Sequence, residues 1–199
     1  MKETTLIIIV LIIITVYCLK YGHAGKDISY IRSDITKELY LVRNLSDKNI
    51  AVNIIARIVK DLKKLAKECY KDMKSKKKDA KKMELYITRI YRRIDNIIFR
   101  ESSAYSPYTS YTVNKGDEMV LCIRSKKTGQ IHDYNILIYV AIHELAHVGC
   151  TEIGHTPLFF NINRYLLQKA IDLNIYKYID YKIFPKTYCG MGVNNNVLG

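Results

Sequence analysis

The sequence predicts an α+β fold: a small antiparallel sheet beside an apolar helix carrying a His-Glu-x-x-His pattern, preceded by an N-terminal transmembrane helix. Three observations predict it. Residues 6–14 are uninterrupted aliphatics, residues 33–99 place apolar side chains at helical spacing, and residues 108–124 switch to strand-forming residues around a turn.

A chain of 199 residues can bury one core of its own, and with 49% hydrophobic residues its bulk is not disordered. The formal net charge of +13 favours anionic partners, whether nucleic acid, an acidic membrane surface or acidic proteins, and does not choose among them. The five cysteines (Cys18, Cys69, Cys122, Cys150 and Cys189) are odd in number and widely spaced, unlike a disulfide framework. Most are expected to be reduced, partly buried thiols, which suits a cytosolic compartment. No C-x-x-C pair is present, which excludes a zinc ribbon, and no G-x-G-x-x-G or G-x-x-x-x-G-K loop supports dinucleotide or P-loop chemistry.

The first element is the aliphatic run from Leu6 to Ile14, extended by Thr15 to Leu19. Counted from Thr4, its helix rises about 24 Å, slightly short of the roughly 30 Å hydrocarbon core. Tyr17, Lys20 and Tyr21 can reach the headgroups. A cleaved signal peptide competes, since Gly22-His23-Ala24 is a passable cleavage site, but Lys2 and Glu3 make a weak n-region. The preferred division is a single-pass anchor over residues 4–21, a linker over 22–32, and a helical region plus catalytic domain over 33–199. Lys20, Lys26, Arg32 and Lys37 outweigh Lys2, which places the C-terminal domain in the cytosol.

Helices follow. Ile35, Leu39, Val42 and Leu45 predict one from Ser33, and Ser46-Asp47 restarts another with the stripe Ile50, Ile54, Ile58, Leu62 and Leu65. Lys74, Lys76, Lys77, Lys78, Lys81 and Lys82 form a basic run, read as a solvated connection or, alternatively, as a phosphate-contacting patch. A further helix is expected over Met83 to Phe99. Tyr108 to Val113, the turn Asn114-Lys115-Gly116-Asp117 and Met119 to Arg124 then read as a β-hairpin. Asp133 or Asn135 can cap the next helix.

That helix, Ile136 to Gly149, contains His143-Glu144-Leu145-Ala146-His147. Two histidines four apart share one helix face, about one 5.4 Å turn from each other, so both imidazoles can reach one zinc ion. Glu144 projects beside the metal, where it can hold a water and take its proton. Two uncompensated histidines on so apolar a helix would otherwise be costly. Gly149 is expected to end the helix in a left-handed conformation, returning the chain so that His155 becomes the third ligand. Glu152 and Cys150 are its rivals. His23 falls in the linker, and His132 is read as a surface residue or a support to the site. Thr156-Pro157 can start another helix. Among the tyrosines of the tail, Tyr188 is a candidate to hydrogen-bond an oxyanion, against a plain packing role.

His143-Glu144-Leu145-Ala146-His147 followed by Gly154-His155-Thr156-Pro157-Leu158-Phe159 resembles the SprT-like and WLM-like zincin metallopeptidases. The stretch from Tyr108 through Gly190 also resembles a metallopeptidase family of large nucleocytoplasmic DNA viruses. That likeness rests on Tyr111-Thr112-Val113-Asn114-Lys115-Gly116, Leu121-Cys122-Ile123-Arg124-Ser125, the histidine helix, Glu152-Ile153-Gly154-His155-Thr156-Pro157 and Tyr188-Cys189-Gly190. The resemblance implies a zincin-like fold, with an edge strand that binds peptide beside the active helix. Seven residues separate His147 from His155, more than in the metzincin pattern. The zinc ribbon common in the SprT-like branch is absent.

The expectation is therefore a membrane-anchored, viral zinc metallopeptidase acting on a protein or peptide substrate. His143, His147 and His155 would bind Zn2+, Glu144 would be the general base, and Met119 to Arg124 would be the substrate-pairing edge strand. Two alternatives stand beside it: a protease acting on nucleic-acid-bound proteins, and a non-enzymatic membrane-anchored virion protein whose metal only stabilises the fold.

Overall fold

The computed structural model describes residues 2–21 and 27–198, with side chains of the first stretch described at Thr5 and over 7–16. Helix α1 (Lys2–Tyr21) comes first, and its apolar side chains from Ile7 to Ile14 are about half exposed. Among the described residues no helix is long and apolar enough to cross a membrane. The expected transmembrane anchor is overturned, and the single-pass topology and cytosolic placement inferred from it fall too.

The expected linker ends sooner than its sequence suggests. Residues 22–26, with His23, lie outside the described residues, and strand β1 (Ile28–Arg32) already belongs to the domain. It pairs antiparallel with β2 (Leu39–Arg43), where a helix is expected from Ser33. The physical reason is visible in β2. Tyr40 and Val42 are buried while Leu39 is exposed, an alternation with period two. Ile35 and Leu45, which completed the helical spacing, are exposed.

Helix α2 (Lys48–Lys74) then crosses behind the sheet. Of the expected stripe, Ile58, Leu62 and Leu65 are buried and Ile54 packs on the core, while Ile50 faces solvent; Val52, Ile55, Val59, Ala66 and Cys69 widen the buried face. The lysine run ends α2 and forms the short α3 (Lys78–Lys82). Lys77, Lys81 and Lys82 pair with Asp72, Glu84 and Asp79, as a solvated connection should. The helix expected over Met83 to Phe99 is shorter. Helix α4 (Glu84–Arg93) runs into a 3-10 turn (Ile94–Asn96), and the chain extends into β3 (Ile98–Glu101).

The hairpin of β4 (Tyr111–Val113) and β5 (Glu118–Leu121) forms where the turn residues place it. Helices α5 (Tyr134–Gly149) and α6 (Pro157–Asp172) follow, and a small hairpin, β6 (Lys186–Tyr188) with β7 (Met191–Val193), closes the chain. The five-stranded sheet has the order β1-β2-β3-β5-β4 and is mixed, because β3 runs parallel to both β2 and β5. β5 is therefore an inner strand. The edge strand expected at Met119 to Arg124 is instead β4, because β3 takes the other side of β5.

The cysteines also differ from expectation. Cys122, just after β5, is disulfide-bonded to Cys189 in the turn between β6 and β7, while Cys69 and Cys150 are free and buried. The bond spans 67 residues, and the two thiols meet only because the β6–β7 turn folds back onto the end of β5.

A buried ion network ties β2, β3 and the start of α2 to the loop after β5. The Arg124 guanidinium donates to Glu101 at 3.1 Å and to Asp47 at 2.6 Å, and Glu101 accepts the Arg43 backbone N–H at 2.8 Å. Burial pushes the Glu101 carboxyl up from its ordinary value against the pull of Arg43 and Arg124.

Gly149 is helical to the end of α5 and not left-handed; Cys150, extended, terminates the helix. Glycine is needed there because α4 comes so close: a Cβ would stand 2.9 Å from Ile90 Cδ1 and 3.3 Å from the Tyr86 carbonyl oxygen. Gly149→Val should therefore lower stability by roughly 1–3 kcal/mol through overpacking. A denaturant midpoint equal to that of the natural chain would show that α4 and α5 are not in this contact.

Candidate metal centre

Helix α5 is the structural centre of the site. Asp133 caps its start, accepting the Asn135 N–H at 3.0 Å. Ile136, Leu137, Ile138, Ala141, Ile142, Leu145, Ala146 and Val148 are buried, because α2, α4, α6 and the β4–β5 hairpin surround it. One strip remains open, and it holds His143 and His147.

His155 comes from the loop between α5 and α6. Gly154, with φ of +83°, makes the left-handed step that turns the chain back just before it. Thr156 then caps α6, accepting the Phe159 N–H at 3.3 Å, with Pro157 in the first turn. Phe159, fully buried, stacks on the His147 ring with centroids 4.2 Å apart and meets the His143 ring edge-on at 4.8 Å. This apolar wedge fixes both imidazole planes.

The three rings converge. His155 Nε2 lies 3.0 Å from His143 Nε2 and 3.2 Å from His147 Nε2. Tetrahedral ligands at zinc–nitrogen distances stand about 3.3 Å from one another. The three ligand atoms lie within 4.8 Å of one another, so the cluster can hold a metal ion. Burial, with the neighbouring histidines, lowers His143 to about 3; burial, with His155 and Lys115, lowers His147 to about 4. Both rings are then neutral at neutral pH, the form that ligates a cation. The rivals for third ligand are elsewhere: Cys150 is buried, and Glu152 is exposed outside the cluster.

Glu144 is buried, and burial lifts its carboxyl to about 7 against the opposing hydrogen bond from Thr112. Thr112 Oγ1 on β4 lies 3.0 Å from Glu144 Oε2 and 3.3 Å from the Glu144 carbonyl. The edge strand thus holds the carboxylate in place.

The histidines, Glu144 and Tyr188 all line one cleft of about 680 Å³, flanked by β4 on one side and β7 on the other. Tyr188 is buried, its hydroxyl 2.6 Å from Ser110 Oγ, and Ser110 Oγ accepts the Cys122 N–H at 3.0 Å. Burial pushes the Tyr188 hydroxyl well above the ordinary phenol range. The disulfide fixes this wall of the cleft. His132 is half-buried, and its Nε2 accepts the Cys189 N–H at 3.3 Å, so it supports the hairpin and does not join the cluster.

Four contributors are not visible as site residues in the sequence: Thr112, Phe159, Lys115 and the β7 wall. Lys115 Nζ donates to the Glu152 carbonyl, tying the β4–β5 turn to the His155 loop. Arg93 donates to the Asn114 carbonyl at 3.0 Å and to the Lys115 carbonyl at 2.6 Å, holding a turn in which both residues have positive φ. For lysine that conformation costs about 1 kcal/mol.

The chain is 41% identical to "Uncharacterized protein R325" of Acanthamoeba polyphaga mimivirus, over 98% of this chain and 99% of that protein. It belongs to the family of that mimivirus protein. The chain is also similar to "Uncharacterized protein 136R" of Invertebrate iridescent virus 6, 46% identical over 40% of this chain and 44% of that protein. A third, "Uncharacterized protein 042R" of Invertebrate iridescent virus 3, is 40% identical over 47% of this chain and 57% of that protein. The relatives are viral, in keeping with the viral origin expected. No family model and no solved structure matches the chain.

Two outcomes follow from the geometry. If the cluster holds zinc, His155→Ala should lower the bound metal from near one ion per chain to well below it, measured by elemental analysis of the purified protein; full retention would remove His155 from the ligand set. Replacing Cys122 and Cys189 together by serine should cost about 4 kcal/mol of stability for a loop of this length, read as a lower thermal midpoint that matches that of the reduced natural chain.

Proposed function

We propose that this chain is a zinc-dependent peptide hydrolase of zincin type. The observation that carries the reading is the convergence of three Nε2 atoms, two of the distances being 3.0 and 3.2 Å, beside a buried carboxylate in an open cleft. His143, His147 and His155 would hold the ion. When bound, zinc would supply Lewis-acid polarisation and lower the pKa of an attacking water.

The rest falls to the chain's own groups. Glu144, held by Thr112, accepts the proton of the attacking water and passes it to the leaving nitrogen. Its burial matches it to that task, since a base of pKa near 7 both accepts and returns a proton at neutral pH. The free edge of β4 offers main-chain donors and acceptors to an extended substrate lying in the cleft. Tyr188, whose hydroxyl meets Ser110 just before β4, is the candidate oxyanion donor. A metal that served folding alone would have no need of an exposed third ring or a cleft of this size.

Glu144→Gln should keep zinc at the natural stoichiometry while hydrolysis of an unfolded protein substrate falls by about 10²–10⁴-fold. Undiminished hydrolysis would falsify the assignment of the base.

A further inference from the structure

Lys115 is the cation of the cleft wall. Among the described residues lining the cleft, Lys115 and Glu144 are the only Lys, Arg, Asp or Glu side chains, and Glu144 is committed to Thr112. Lys115 is half-buried and has no ion-pair partner among the described residues. One of its three donors goes to the Glu152 carbonyl. Two remain for a ligand.

Its backbone adds a second, independent reason. Lys115 follows Asn114 in a hairpin turn, and both have positive φ, at 59° and 46°. In this four-residue loop asparagine tolerates that region, whereas lysine seldom adopts it. Arg93 clamps both carbonyls of this unfavourable turn. Such strain is kept where a side chain must be placed, and here the residue lines the cleft that holds the three imidazoles.

We propose that the cleft selects peptides carrying a carboxylate next to the bond to be cut, with Lys115 as the group that binds it. This deepens the hydrolase reading and rests on it. The carboxylate can come from an Asp or Glu side chain or from a free C-terminus, since either presents two acceptor oxygens to an ammonium. Glu144 and the histidine cluster offer no competing attraction for a substrate lysine or arginine once the cluster holds a dication.

Matched peptides decide it: Glu against Gln and Asp against Asn at each position flanking the cleaved bond, and free acid against C-terminal amide. The acid of at least one pair should be favoured about tenfold in kcat/KM, the factor one charge-assisted hydrogen bond supplies. The position of that pair identifies the source of the carboxylate. Lys115→Met should bring the acid-to-amide ratio to about one, and Lys115→Arg should preserve it. The same ratio read as binding of labelled peptides to the zinc-loaded Glu144→Gln protein needs no turnover. Acid and amide bound and cleaved alike by the natural chain overturn the proposal, as does a preference that survives Lys115→Met with zinc still bound. If Lys115→Met sheds zinc, the Lys115→Arg ratio decides, and a ratio near one overturns it. Hydrolysis without preference sinks this inference alone; preference in binding without any hydrolysis sinks the hydrolase reading alone.

Discussion

Everything in the site depends on how deeply α5 is buried. A helix apolar on nearly every side must be enclosed, and α2, α4, α6 and the β4–β5 hairpin enclose it. The close approach of α4 is possible only because Gly149 has no side chain. Enclosure fixes the rotation of α5, and that rotation directs His143 and His147 to the one open strip. It also turns Glu144, next in sequence, towards the edge strand where Thr112 meets it.

Burial then sets the chemistry of the groups. It disfavours charge on each, so the same physical cause lowers the two histidines and raises the glutamate. Neutral imidazoles and a carboxyl poised near 7 are two products of one desolvated pocket. His155 differs because it arrives on an exposed loop. Its placement is built from backbone geometry at Gly154, the Thr156 cap and the Phe159 wedge, with Lys115 tying the loop to the sheet.

The parts of this design legible in the sequence are those encoded within a few residues. The histidine helix, its Asp133 cap, the Thr156-Pro157 start and the turn at Asn114 to Asp117 are of this kind. The parts that were not legible depend on residues distant in the chain. Leu39 and Val42 satisfy helical spacing, yet β2 is a strand because Tyr40 and Val42 face the core together. Ile97 and Ile98 look like more helix after Ile94, but β3 extends because β2 and β5 are there to pair with it. Strand order decides which strand is the edge, and no local pattern reports strand order. Cys122 and Cys189 meet only after β6 and β7 have folded back. The aliphatic N-terminal run is the opposite case: the local signal is strong, yet among the described residues no helix is long and apolar enough to cross a membrane.

The sheet itself has a seam. The β1–β2 hairpin joins β3 through one registered pair, Leu41 with Arg100, whereas β3 and β5 are paired along their whole length. Where the ladder is thin, Glu101 completes it with its side chain, accepting the Arg43 N–H as a neighbouring carbonyl would. The hairpin is held there by side chains more than by backbone: Tyr40 and Val42 are buried in the core, β2 packs on α2, and Arg124 binds Glu101 and Asp47. Side chains stand in for the missing rungs, so this flank of the sheet is anchored from beneath by the core and not sideways by its own ladder.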